Sequence, residues 1–261
     1  MSVERLASNP AWLLPDWHDA PPTLRALSTR RSGGVSVGPY ASFNLARHVG
    51  DDPAAVEANR AILLSGAALP AEPLWLEQVH GIEVVEHRGE RPAVPPRADA
   101  AVAFAPGRVC AVMTADCLPV VFGDRAGTRV GVAHAGWRGL AAGVLEATIA
   151  ALRCRPSDLI AWFGPAIGQG AFEVGEEVRE AFVDKDPAHV ASFVPNAAGR
   201  FQADLCELAR TTLVRAGVRG VSGGGHCTSA QPEDFFSFRR DGGRTGRMAT
   251  LAWLSQEADR E

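Results

Sequence analysis

His134 stands in Gly131-Val132-Ala133-His134-Ala135-Gly136-Trp137-Arg138-Gly139, an apolar run that ends in an imidazole, turns on glycine and opens a helix with an arginine in its first turn. Imidazole is the side chain whose ordinary pKa suits proton transfer and metal ligation near neutral pH. Cys117 begins the preceding apolar run, in Thr114-Ala115-Asp116-Cys117-Leu118-Pro119. Asp124-Arg125-Ala126-Gly127 separates the two runs with turn residues. A two-residue hairpin loop closed by Asp124 and Gly127 places Cys117 directly opposite His134, with Cβ atoms about 4.5–5.5 Å apart. A bulge at Gly127 shifts that register by one. His80, in Gln78-Val79-His80-Gly81, falls at a strand-to-turn junction where glycine leaves room around the ring. His80, Cys117 and His134 together would form an open site of two nitrogens and a sulfur, the three-ligand arrangement of catalytic zinc. The donor set suits Zn²⁺ best and also accepts Cu²⁺. Cys117 and His134 read as well as a thiolate–imidazole dyad for nucleophilic catalysis. Taken singly, each reads as a small buried thiol and a satisfied core histidine.

Arg138 follows His134 at a helix start, where free N–H groups and the positive dipole end favour an anion. A guanidinium adds a bidentate donor there. A second basic group, Arg239, Arg240, Arg244 and Arg247, can serve a small anion. Alternation in a strand lets only one of Arg239 and Arg240 face a cleft. The preceding Phe235-Phe236-Ser237-Phe238 reads as core rather than as a shelf on which a base would stack. Gly164 and Gly168 flank one strand end, and Gly223-Gly224-Gly225-His226-Cys227-Thr228 follows another, both places where backbone can approach a ligand. Neither is a dinucleotide fingerprint or a P-loop. No H-E-x-x-H or nucleobase-deaminase pattern occurs.

The elements that must position these residues follow from periodicity. Leu24 to Arg30 reads as a strand. Asp52 caps a helix that opens on Pro53 and stops near Gly66. Leu74 to Val79 and Ile82 to Glu86 read as strands on either side of His80-Gly81, and residues 89–97 as a loop. Apolar strand patterns resume at Ala100 and Val109. A hairpin over 118–135 feeds a helix from Trp137 to Arg153, with Leu145, Ile149 and Leu152 on one face. A strand at Asp158 to Phe163, helices near 174–184 and 203–216, and a strand at Val218 to Ser222 come next. Phe235 to Arg240 and Met248 to Leu254 complete a closing hairpin. The pattern predicts an α/β (α+β) fold, one domain over residues 1–261 with a mixed sheet covered by helices.

Composition bounds the function. The 261 residues are 46% hydrophobic and 21% charged, enough for a substantial core. A net charge of −4 offers no electrostatic footprint for nucleic acid. Five cysteines, scattered and without a C-x-x-C pair, point to reduced thiols rather than a disulfide framework. Met1-Ser2-Val3-Glu4-Arg5 leads into no apolar signal, and no run approaches membrane-span length. A soluble, cytoplasmic protein is expected.

Several segments acquire specificity in combination. Gly33-Gly34-Val35-Ser36-Val37-Gly38-Pro39-Tyr40-Ala41-Ser42-Phe43-Asn44-Leu45 is followed by His48-Val49-Gly50-Asp51-Asp52, then by the His80, Cys117 and His134 segments. Gly164-Pro165-Ala166-Ile167-Gly168, Phe236-Ser237-Phe238-Arg239-Arg240 and Thr245-Gly246-Arg247-Met248-Ala249 complete the order. The chain resembles the YfiH family over nearly its whole length. Members carry the names multicopper polyphenol oxidase (laccase), peptidoglycan editing factor and purine nucleoside phosphorylase. The resemblance implies a three-layer mixed α/β fold, grouped with a toxin cysteine-hydrolase domain, and His80, Cys117 and His134 as ligands, usually of zinc. It implies phosphorolysis of adenosine, inosine and 5′-methylthioadenosine, with adenosine deamination besides. The expected partners are a purine nucleoside and phosphate, without nucleic acid or membrane, in a monomer or small homo-oligomer. Cys117, His134 and Arg138 are the expected catalytic residues; Asn44, Arg138, Cys227 and Arg239 are expected at the substrate. His226 departs from the family pattern, which favours an apolar residue there. A multicopper oxidase needs many histidines in H-x-H pairs, whereas this chain has seven histidines and no such pair. The other readings are a Cys/His hydrolase of cell-wall precursors, copper-dependent phenol oxidation and a non-enzymatic metal-binding protein.

Overall fold

A computed structural model describes residues 9–17 and 19–256; Met1–Arg5 and His18 lie outside them. In chain order, β1 (Trp12–Leu13) and β2 (Leu24–Thr29) lead to α1 (Pro53–Gly66), then β3 (Val84–Glu86), β4 (Ala100–Ala103) and β5 (Cys110–Thr114). Next come β6 (Leu118–Asp124), β7 (Val130–Ala135), α2 (Trp137–Ala142), α3 (Val144–Ala151), β8 (Leu159–Phe163) and β9 (Glu173–Val174). The rest is α4 (Glu176–Val183), β10 (Phe193–Pro195), β11 (Phe201–Ala203), α5 (Leu205–Arg215), β12 (Gly220–Gly223) and β13 (Met248–Leu254). Asp52 caps α1 as its sequence requires, accepting the Ala54 N–H with Pro53 in the first turn.

The mixed α+β class is as expected, with three sheets. A six-stranded mixed sheet has the order β12-β8-β6-β7-β4-β3, a four-stranded sheet β1-β2-β13-β5, and a small one β10-β11-β9. Strand periodicity divides the core. Leu118, Val120 and Phe122 of β6 face the helix layer with Leu145, Ile149, Leu208 and Leu213. Val121 faces the other way, with Val130, Val132, Ile160 and Trp162, against Val112 and Ala252 of the four-stranded sheet. Leu27, Ala111 and Leu251 on that sheet's far side pack on Leu63 and Ala67 at the end of α1. Helices thus cover one face of the six-stranded sheet and a second sheet covers the other. Because β6, β7 and β8 are buried on both faces, their sequences read as continuous apolar runs rather than alternating ones.

Four local expectations change. The β6–β7 register puts Pro119, not Cys117, opposite His134. The connection spans Arg125–Thr128 instead of two residues, because the Asp124 carboxylate takes the Thr128 and Arg129 N–H groups at 2.7 and 2.8 Å. Displacement by two residues keeps every side chain on its face. The helix after His134 breaks at Gly143, whose φ of +111° ends α2 before α3 begins. Leu74 to Val79 makes only isolated bridges, at Leu74 and Glu77. Phe235 to Arg240 is irregular backbone ending in a turn at Phe238–Arg240, and β13 pairs instead with β2 and β5. In that turn region side chains replace a strand ladder: Asp116 accepts the Arg239 N–H at 2.7 Å, and Arg240 donates to the Thr228 and Phe235 carbonyls. Among the described residues no helix is long and apolar enough to cross a membrane.

Candidate active site

The three chemistry-bearing side chains converge where the two large sheets part at one rim. Ala115-Asp116-Cys117 carries the chain from β5 in one sheet to β6 in the other, turning at Asp116 with φ +89°. His134 comes from the last turn of pleat in β7, and His80 from the strap between α1 and β3. The ligand atoms of His80, Cys117 and His134 lie within 4.8 Å of one another. His134 is buried, Cys117 half-buried and His80 exposed, so the trio is open on the His80 side.

Asp99 assembles this trio. Extending the β4–β7 register by one pair sets Asp99 beside His134, and the His134 N–H meets the Asp99 carbonyl at 2.7 Å. Its fully buried carboxylate accepts Nδ1–H of His134 at 2.8 Å, which leaves Nε2 of that ring for the centre of the trio. The same carboxylate accepts the N–H groups of Val79, His80 and Gly81 at 3.1, 2.9 and 2.7 Å. Those three amides form a concave nest, which His80 completes with φ +60°. Gln78 ties the same strap to the edge of β5, exchanging two hydrogen bonds with the backbone of Met113 at 2.8 and 2.7 Å. Asp99 has no motif around it, and only the pairing of β4 with β7 reveals it. Asp99→Asn sets an N–H₂ group among those donors, so metal affinity should fall about 10–100-fold in a chelator competition. Unchanged affinity would refute this role.

Burial opposes charge on both Cys117 and His134, and their mutual attraction overcomes it. The His134 imidazolium and hydrogen bonds from His134 and His80 bring the thiol down to about 6. The Cys117 thiolate and Asp99 lift His134 to about 9. Burial pushes Cys110 and Cys206 up to about 12. In metal-free protein, iodoacetamide labelling of Cys117 is therefore expected to rise through pH 6 while Cys110 and Cys206 stay unlabelled at neutral pH. Peptide mapping by mass spectrometry reads this, and labelling of Cys117 only in the ordinary thiol range would contradict it. Two imidazoles and an ionised thiol at this spacing match the donor chemistry of a metal ion, so the trio can hold one.

A cavity of about 490 Å³ opens on the trio. Arg138, Arg239 and Arg247 bring positive charge to its wall and His48 an imidazole, while Ile167, Phe172, Leu205 and Phe238 are apolar lining. Arg138 stacks on Trp137 at 4.5 Å and has no hydrogen-bond or ion-pair partner among the described residues. Its helix is only six residues long, so the guanidinium rather than a helix dipole is the anion donor. Arg247 spends one nitrogen, Nη1, on the Thr245 and Gly246 carbonyls. Burial, then Arg247 and Arg60, lowers the pKa of His48. The sequence placed Arg247 in a basic cluster but did not single it out, and His48 carried no such signal.

The remaining expected residues lie apart. Asn44 is fully buried, away from the cavity wall, and accepts the Arg247 N–H at 3.0 Å. Cys227 lies outside the lining, its sulfur accepting the Gly168 N–H at 3.2 Å. His226 packs edge-on against Phe235 at 5.7 Å and does not join the trio. Arg239 lines the cavity while Arg240 is tied to Asp241 behind it, although in a turn rather than a strand.

Known proteins match the chain over nearly its whole length. The family model described as multi-copper polyphenol oxidoreductase laccase matches residues 25–255. A Pseudomonas aeruginosa protein named purine nucleoside phosphorylase is 54% identical over 94% of this chain and 98% of its own length. Escherichia coli YfiH, also named purine nucleoside phosphorylase, is 51% identical over 93% and 98%. The crystal structure of a Neisseria meningitidis protein superposes with a TM-score of 0.89 at 50% identity, covering 94% of this chain and 99% of that one. YlmD from Geobacillus stearothermophilus superposes equally well, with a TM-score of 0.89 at 31% identity over 95% and 98%. On matches of this extent, the chain belongs to the YfiH family.

Proposed function

We propose that the chain is a zinc-dependent purine nucleoside phosphorylase acting on adenosine, inosine and 5′-methylthioadenosine. The carrying observation is identity of 51–54% across 93–94% of the chain to proteins named for that activity. The site supports the reading. Phosphorolysis joins a phosphate oxygen to C1′ of the ribose as the bond from C1′ to the base nitrogen breaks, and the departing base takes up a proton. Arg138, without a hydrogen-bond or ion-pair partner among the described residues, and Arg247, which commits only Nη1 to carbonyls, supply charge-assisted donors for phosphate. Fixed donors of this kind stabilise charge that shifts during bond exchange. A cavity of about 490 Å³ has room for a nucleoside beside the phosphate.

His80, Cys117 and His134 would hold the ion, with Asp99 orienting His134. Bound zinc would supply Lewis acidity toward a substrate oxygen or nitrogen. Zinc is favoured over a copper cluster because the described residues contain one three-ligand group, enough for one ion. Incubation of zinc-loaded protein with adenosine and phosphate should release adenine and ribose 1-phosphate, and none without phosphate. Following inosine in the same assay tests adenosine deamination. Absence of adenine in phosphate buffer would overturn the reading.

A further inference from the structure

Phe235-Phe236-Ser237-Phe238 divides in the fold. Phe235 and Phe236 are fully buried, but Phe238 is 53% exposed and is the only aromatic among the exposed large hydrophobic residues described. Its side chain lines the same cavity as the metal trio. Leaving a phenyl ring in water forgoes the free energy its burial would give. A loose turn would explain such exposure, but this turn is fixed on both sides of Phe238. Ser237 N–H donates to Asp241, Arg239 N–H to Asp116 at 2.7 Å, and Gly243 N–H to the Phe238 carbonyl at 2.9 Å. The Arg240 guanidinium holds the Thr228 and Phe235 carbonyls at 2.7 and 2.9 Å. Gly243, with φ +86°, supports the ring so closely that a Cβ there would lie 3.2 Å from it. Arg247 stands 5.7 Å from the ring centroid. The backbone hydrogen bonds are spent on holding one exposed aromatic side chain in place at the cavity wall.

We infer that Phe238 is the surface on which the flat base of the substrate stacks, a specificity residue for the phosphorylase reading on which this rests. Stacking tolerates different purines because each presents a π-face, and an edge already held in place loses little freedom on binding. The ribose and phosphate are then left to the polar groups around the trio.

Steady-state phosphorolysis by the full-length zinc-loaded chain, with adenosine and phosphate varied separately, tests this on Phe238→Ala and Phe238→Tyr. Equilibrium dialysis of adenosine without phosphate gives its Kd independently of turnover. Phe238→Ala should raise the adenosine KM and Kd about 10-fold or more, leave the phosphate KM within about twofold, and be rescued by Phe238→Tyr. An unchanged adenosine KM and Kd, or equal rises for both substrates, would overturn the inference. So would a change in oligomeric state without a change in adenosine binding, which assigns Phe238 to contact with a second copy of the chain. If the wild-type chain binds adenosine without cleaving it and Phe238→Ala loses that binding, the stacking role stands and the phosphorolysis reading falls.

Discussion

Cys117→Ala is expected to leave only trace bound metal and to lower kcat/KM for adenosine phosphorolysis about 10³-fold or more, since groups that act as one unit do not lose activity in parts. Cys117 is the one anionic member of a trio whose other donors are imidazoles, and its thiol titrates at about 6. At neutral pH it therefore meets a cation as a thiolate, and the proton that binding expels comes from the His134 imidazolium instead of from sulfur. The segment that carries it does not depend on the sulfur. Asp116 anchors the crossing through Thr228 Oγ1 at 2.5 Å and the Arg239 N–H at 2.7 Å, and its carbonyl accepts the Ile167 N–H at 2.9 Å. Metal-free Cys117→Ala should consequently unfold within about 1 kcal/mol of the metal-free wild type. Metal analysis, activity and denaturant unfolding on the purified variant check all parts. Wild-type activity in Cys117→Ala would remove the trio from the reaction.

Gly136→Ala is expected to damage the site almost as severely while adding a single methyl group. Gly136 has φ −63° and ψ 154°, which alanine adopts freely, so backbone strain is not the cause. The cause is space: a Cβ at Gly136 would lie 2.9 Å from the Cys117 sulfur and 3.1 Å from Cδ2 of His80. Two donors must move for it to fit. Gly139 on the next turn faces the same constraint, its Cβ meeting the Gly81 carbonyl at 2.9 Å. The glycines therefore let α2 close over the strap and the crossing at once. Donor displacement of a few tenths of an ångström to 1 Å should cost about 100-fold in kcat/KM and a comparable factor in metal affinity. Chelator competition and kinetics measure it. A variant with wild-type metal affinity would show that the site yields more than its packing implies.

Residue types alone pointed to the trio, and the reason it was legible is local. Each donor sits beside glycine or at the end of an apolar run, where a strand must stop and a side chain becomes available. The register expected between Cys117 and His134 was displaced by two residues because Asp124 organises a longer turn through its own carboxylate. The pair still meets, since Cys117 lies on the crossing beyond β6. Asp99 was illegible because its role arises from pairing β4 with β7, a contact between segments far apart in sequence. The second large sheet was hidden for the same reason: β5 and β13 are apolar strands, β2 mixes apolar residues with Arg25, Ser28 and Thr29, and nothing local states which neighbours they choose. Phe238 misled through its neighbours. Phe235 and Phe236 are core, and only the side-chain bonding of the turn shows that the third phenylalanine is held outward.

On the proposed reading, one metal ion at His80, Cys117 and His134 and a phosphate beside it act on a purine nucleoside. Metal content and phosphorolysis measured on one preparation, before and after removal of metal by a chelator and after zinc is restored, test it most directly. The expected result is one zinc per chain, adenine released from adenosine only with phosphate, loss of that release on chelation and its return with zinc. Adenine release that persists in metal-free protein, or a zinc-loaded chain that leaves adenosine intact in phosphate, would contradict it.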